Sequence, residues 1–568
     1  GLAAAPAVPK LAEVAEARSF ALATISITSL DHLLVNGATL GTSAVPLPIE
    51  PASVRDMMLG QAGLPPEVSA NLDFGAPTGA AIVAGGKEPG VVVAVAARGT
   101  AEAVRAIAAL GKQVDKRGDF VLVDNGSGER AWLLRDGAVI AFSDDLETLA
   151  RGARLAMEAR HAVAEDVTAV LFPDAIARAN GTDVKTAIAM GIAQLKQAHA
   201  SQPGAAPIND NAYQNVAEMM SLVGDAQTIE LGMVVDSKKG LSLRARLLPR
   251  TASGLEKVVR EARAYTFDTA LLSVIKVPTA AGAWTLGSFM RMQMMHQRDH
   301  LQTSKLKGAT AALAFVDAML AGLGGDASYA FGVAKDAPLF SGAVEYSLKD
   351  ATASAAVGGA LDRLDKDAAL ALIEAQLGAL PFFDWTVKRE PAGKVKALHY
   401  ALKLKKDLGL DPAVAKKIFG KGSSIDIYMG VAGTRLLATF GRDAKANLSR
   451  LAAPSAAVPG AALAATLAAT KGRDQFYHFD FAQLLSLATT FAPNKDKRAE
   501  AIAKANAGPI PIYGSAGGDV AGRAWSFDLT FPVEAFKAAG AVVKSGMNGG
   551  GGASDEASPP HKKSGKKK

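Results

Sequence analysis

The feature that most constrains this chain is that its landmarks come in one order and then come again in the same order. Gly75–Leu110 reads as a short strand, a Lys/Pro turn, a second strand and a helix, and Gly325–Leu361 reads the same way. Gly137–Phe142 precedes a helix from Asp145 to about Ala159, as Gly433–Phe440 precedes one from Asp443 to about Ala453. Asp166–Ala179 and Asp474–Ala488 each read as a strand running straight into a helix. A hairpin, Thr228–Asp236 with Gly240–Leu247, is then matched by Pro511–Ser515 with Gly522–Thr530; each is followed by a helical stretch, Gly254–Arg260 and Val533–Ala539. Residue identity between the copies is low, so the argument rests on shared order, which points to a duplicated unit of about 250–280 residues.

Local chemistry supports each element. Gly240–Leu247 alternates apolar with polar residues, the period of a strand with one wet face. Asp236-Ser-Lys-Lys-Gly240 before it supplies a polar, Gly-terminated hairpin turn. Ser424–Gly430 alternates in the same way. Thr100–Leu110 has a Thr cap, apolar spacing of three to four, and Gly111 as its stop. Hairpins outnumber strands separated by helices, so the sheets should be largely antiparallel. The expected fold is α+β: two similar tandem repeats of antiparallel sheet packed with helices, plus a disordered C-terminal tail. The expected boundaries are an N-terminal segment 1–18, a first repeat 19–265, a second repeat 266–545 and a flexible Gly/Lys-rich tail 546–568.

Composition narrows the chemistry. The 568 residues include no cysteine, which excludes a disulfide scaffold, thiolate metal sites and cysteine nucleophiles. A thiol-free chain suits an oxidising compartment, and the Ala-rich start Gly1–Lys10 is of the kind left downstream of a secretory cleavage site. No stretch reaches about 18 consecutive strongly apolar residues, the length of a spanning helix. The expected location is periplasmic, cell envelope or secreted. The formal charge of +7 is partly local, because Lys562, Lys563, Lys566, Lys567 and Lys568 crowd the C-terminus behind a four-glycine run. Such a tail cannot bury apolar surface; it either contacts an anionic surface or merely solubilises the chain.

A search for catalytic motifs returns no nucleophile elbow, phosphate loop, dinucleotide fingerprint or zinc-protease helix. Ser304-Lys-Leu-Lys307 matches Ser-x-x-Lys without its partner motifs. The lysine-rich run from Lys388 to Lys406 reads as the solvated face of a hairpin, and the aromatic-and-basic signature of a sequence-specific nucleic-acid reader is missing. One constellation stands out. Leu286–Leu301 carries four of the 14 methionines and two of the eight histidines, and Met292, His296 and His300 share one side of a helix. Thioether plus imidazole suits copper; the alternative is a helix buried on two sides whose methionines fill irregular gaps.

Arg135–Leu149, an Asp-Gly hairpin running into a capped helix, resembles uncharacterised exported bacterial proteins built on a domain of unknown function. The resemblance implies an envelope or secreted location and brings no catalytic residues with it. The expectation is a non-enzymatic exported or envelope protein without cofactor, holding a protein, lipid or polymer partner in a groove shared by its lobes or on exposed sheet faces. The alternatives are copper handling through Met292, His296 and His300, and anionic-surface binding through the lysine tail.

Overall fold

The structure, a computed structural model, describes residues 9–547 except 46–49, 51–52, 55–56, 59–63, 85–87, 127, 163–164, 202–209, 287, 335–337, 378–382, 406–411, 421–423, 454–455, 491–507 and 520–522. The lysine tail therefore lies outside the described residues. The first ten strands are β1 Ala21–Ile27, β2 Thr78–Val83, β3 Gly90–Ala96, β4 Lys112–Arg117, β5 Phe120–Asp124, β6 Arg130–Asp136, β7 Val139–Ser143, β8 Val167–Leu171, β9 Ala226–Asp236 and β10 Gly240–Pro249. Ten more follow. They are β11 Ala280–Thr285, β12 Leu323–Val333, β13 Phe340–Leu348, β14 Phe383–Ala392, β15 Val395–Leu404, β16 Ser424–Ala432, β17 Arg435–Gly441, β18 Gln475–Asp480, β19 Pro511–Asp519 and β20 Ala524–Pro532.

Hydrogen bonding joins the first ten in the order β4–β5–β6–β7–β3–β2–β1–β8–β9–β10, every pair antiparallel. The second ten run β14–β15–β16–β17–β13–β12–β11–β18–β19–β20, again all antiparallel. The two orders correspond strand for strand. β10 pairs with β20, Gly240 opposite Pro532 through Leu247 opposite Trp525, so the described strands form one sheet with β4 and β14 at its edges. The fold is α+β with an antiparallel sheet.

Glycines set corresponding turns. Gly137 in the β6–β7 hairpin has φ 58°, and Gly433 in the β16–β17 hairpin has φ 60°, the left-handed region that a side chain resists. At the β9–β10 turn, Asp236 accepts hydrogen bonds from the Lys238 and Lys239 amides at 2.8 and 3.1 Å. The Thr100–Leu110 helix forms at its expected bounds, but Gly99 occupies the cap position and no side chain caps it. Thr100 is already helical, so its hydroxyl cannot play the expected role.

The strands place alternate residues on two faces. On the first face, helix Leu146–Ala159 buries Ala81, Val83, Val92 and Ala94 beneath Leu149, Ala150 and Ala153. Asp145 caps that helix by accepting from the Thr148 amide at 2.7 Å. Gly152 lets it settle closely, since a Cβ there would lie 2.8 Å from Val92 Cγ2. Ala12 and Ala17 are buried in the same cluster. In the second half, the first face carries Ala283, Ala330, Ala343 and Leu437 under Leu448 and Leu451.

On the second face the halves exchange helices. Gly254–Arg260, which follows β10, packs on β19 and β20; Val533–Met547, which follows β20, packs on Leu30–Ala44 and β10.

Candidate binding face

The second face differs between the halves. In the second half, helices Ser288–Thr303, Ala309–Gly322, Ala351–Leu361 and Lys366–Leu377 bury Ala327, Leu398 and Leu436, with Trp284 and Tyr346 packed against them. Trp284 lies 5.8 Å from Tyr329 and 6.4 Å from Tyr346, ring centre to ring centre.

In the first half the corresponding strands present mostly smaller, aliphatic side chains that stay half open, with one aromatic ring, Phe142, at the end of the row. Phe142, Val93, Ala80, Ile25, Ala169 and Leu231 form one register row across β7, β3, β2, β1, β8 and β9. Phe142, Val93, Ala80, Ile25 and Ala169 are half-buried, while Leu231 is 43% exposed and Val91, beside the row, 48%. Among the described residues, the helix packed on β2 and β3 is Leu146–Ala159, which lies on the opposite face. Five strand spacings make the row about 24 Å long.

Apolar hollows lie at both ends. Phe142 also lines a cavity of about 510 Å³ whose walls include Val68, Val95, Ala106, Leu133 and Ile140. Asn125, Glu129 and Arg130 sit at its polar rim. There Asp124 accepts from the Gly126 amide at 2.9 Å and from Arg130 Nε at 2.9 Å, bonds that hold its carboxyl below the usual range. At the other end, Leu171 and Ile229 line a groove of about 460 Å³ together with Ile188, Ile192, Val216 and Met220. A surface of methyl and methylene groups has no proton or electron pair to offer. What it can do is withdraw apolar area from water, worth about 0.8 kcal/mol for each methylene covered.

The first face is polar where the halves join. Arg244 on β10 bonds Asp528 on β20 at 2.6 Å and Glu165 at 2.9 Å, and Arg473 bonds the other Asp528 oxygen at 2.6 Å. Gly232 makes this possible, because a Cβ there would fall onto the Glu165 carboxylate. Burial pushes Glu165 upward despite Arg244. These groups line a cavity of about 210 Å³. Elsewhere, His399 sits between Glu390 at 2.9 Å and Asp426 at 2.8 Å, stacked 4.2 Å from Tyr428. Polar groups in both clusters partner one another, an arrangement that orders strands.

A third cluster is strained by burial. Glu345 on β13 faces Asp268 and shares Arg435 with it, at 3.5 and 3.4 Å. Burial first, then the neighbouring Asp268, pushes Glu345 up to about 8.

The structure places Met292, His296 and His300 four residues apart on helix Ser288–Thr303, with both histidines half-buried. The Met292 side chain lies outside the described residues. Among the described residues, no group of three or more His, Cys, Asp or Glu side chains is placed to hold a metal ion. Lys388 to Lys403 of the lysine-rich run fall on the β14–β15 hairpin, where Lys396 pairs with Asp362 at 2.6 Å, and Lys406 lies outside the described residues. No helix of the described residues is long and apolar enough to cross a membrane.

The open face was not singled out in the sequence. Its trace there is that Gly90–Ala96 and Thr78–Val83 are apolar on both faces, a pattern that asks for two covering layers. Compared with protein-family models, curated proteins and solved structures, the chain gives no match.

Proposed function

We propose that the chain is a non-enzymatic exported or cell-envelope binding protein that holds an extended apolar chain, such as a lipid acyl group, along the open face of its first half. The observation that carries this reading is the row from Phe142 to Leu231: side chains with core composition, arranged in register, left half open between two apolar hollows. Its length of about 24 Å suits an extended chain better than a compact ring. The absence of cysteine supports an oxidising compartment. We read the two halves as copies of one duplicated unit, supported by strand orders that correspond one to one; the copies would then have diverged in what covers the second face.

The test is organic extraction and mass spectrometry of detergent-free protein, wild type against Val93→Asp. Lipid should co-purify with the wild type in near-stoichiometric amount and fall at least tenfold in the variant. Equal lipid in both, or none in the wild type, rejects the reading. Turnover in a broad hydrolase panel, abolished by one point substitution, would reject its non-enzymatic part.

A second reading, copper handling, draws on the four-residue spacing of Met292, His296 and His300 along one helix. Copper titration of the His296→Ala/His300→Ala variant decides it: an unchanged stoichiometry removes it.

A further inference from the structure

The seam between the halves is built around a pseudo-two-fold axis. β10 and β20 end the two strand orders and pair with each other, Arg244 opposite Asp528. Those two positions are equivalent. Val167 pairs with Met233 and Met233 with Leu243, as Gln475 pairs with Ala516 and Ala516 with Phe527, and Arg244 and Asp528 come next in each half. Glu165 and Arg473 are equivalent as well: each precedes an aspartate, Asp166 or Asp474, that accepts from the Val235 amide at 2.7 Å or the Gly518 amide at 3.1 Å. A cation and a carboxylate have therefore changed places across the axis, and Glu165, Arg244, Asp528 and Arg473 pair in one chain.

The cavity of about 210 Å³ lies on that chain of charges, walled by both halves, and junctions of this kind favour small-ligand sites. Ser242, Thr530 and Tyr513 form one register row along it, and Arg244, Asp528 and Ser515 form the next. Among the described residues, the hydroxyls of Ser242, Thr530, Tyr513 and Ser515 have no hydrogen-bond partner in the chain. Ser515 is only 5% exposed. A buried hydroxyl without a partner is costly, so this group is set to receive one from outside the chain.

The lining selects the chemistry of that partner. Both arginines already hold carboxylates, so an anion or a cation entering the cavity has to break an ion pair and leave one member behind. A hydroxyl is donor and acceptor at once: it can donate to Asp528 or Glu165 and accept from Arg244 or Ser515 while every charge stays paired. Val234, 39% exposed, and the exposed Ala469 add apolar surface against which a C–H face can rest. The volume corresponds to about seven waters, room for one ring and not for a chain.

We propose that the seam cavity binds the ring of a neutral sugar, whose hydroxyls bridge the Glu165–Arg244–Asp528–Arg473 chain and pair with Ser515 and Tyr513. The site lies on the face opposite the open row and does not depend on a lipid cargo.

The experiment is isothermal titration calorimetry of the full chain with glucose, galactose, mannose and N-acetylglucosamine, and with inorganic phosphate and glycine as the anionic and zwitterionic alternatives. At least one sugar should bind saturably with one site per chain, and phosphate and glycine should give no saturable heat. Ser515→Ala and Tyr513→Phe delete hydroxyls that bond nothing in the chain, so each should weaken sugar binding at least fivefold while leaving the urea unfolding midpoint unchanged. Val93→Asp, on the other face, should bind the sugar like the wild type, which separates this site from the lipid reading. The proposal is overturned if none of the four sugars binds saturably, or if phosphate or glycine binds in their place. It is also overturned if both hydroxyl deletions bind sugar as tightly as the wild type, which would make the cavity a site for water alone.

Discussion

The second face of β1–β3 and the second face of β11–β13 sit on the same strand order yet meet different fates. Around Tyr346 and Trp284, four helices close over aromatic side chains. Around Val93 and Ile25, aliphatic side chains remain half open. The strand scaffold therefore does not dictate what covers it. The difference resides in the segments between strands: β13 is followed by Ala351–Leu361 and Lys366–Leu377, whereas β3 is followed by Thr100–Leu110. Smaller side chains accompany the face of β2 and β3 on which no helix of the described residues packs.

Substitutions should separate the faces most sharply. Tyr346→Ala removes a large ring packed beneath helices and should cost about 3–5 kcal/mol in urea unfolding, whereas Val93→Ala on the open face should cost about 1 kcal/mol or less. Similar losses at both positions would mean that the first-half face is a covered core after all.

Glu345 gives the next largest effect and belongs to the second half alone. Its folded pKa, about 8, exceeds the ordinary 4.5, so the folded chain holds this proton more tightly than the unfolded one. The group costs nothing below about pH 4.5, and stability falls as the pH rises from there towards 8, then levels off. Glu345→Gln should therefore melt progressively higher than the wild type between pH 5 and pH 8. A constant difference across that range contradicts the assignment.

The hairpin turns should show likeness instead of difference. Gly137→Ala and Gly433→Ala both force a side chain into the left-handed region with no neighbour within 4 Å, so each should cost about 1–2 kcal/mol. Unequal costs would show that the corresponding turns carry different loads in the two halves.

Much of this was legible in the sequence, and the reasons are local. Alternation over Gly240–Leu247 and the turn Asp236–Gly240 specify a hairpin within a few residues, and β9 and β10 form it. Leu146–Ala159 follows from its Asp145 cap and apolar spacing. The pairing of β10 with β20 was not legible, because no local signal links Arg244 to a carboxylate 284 residues away. The open face was hidden for a different reason. Val91, Val93 and Ile82 look like residues of a strand covered on both sides, and only the placement of helices reveals that, among the described residues, no helix packs on that side of β2 and β3. The Leu286–Leu301 stretch was readable as a helix, but its thioethers and imidazoles state a preference among metals and not whether one binds.

The cysteine-free sequence offers the most direct test of the open face, because a single introduced thiol is unique. Ala80→Cys, labelled with a polarity-sensitive fluorophore, places the probe in the middle of the row; Arg244→Cys places it on the opposite, polar face. Titration with a long-chain fatty acid should give a saturable blue shift at position 80 and none at position 244. No shift at position 80, or equal shifts at both, would contradict a binding face in the first half.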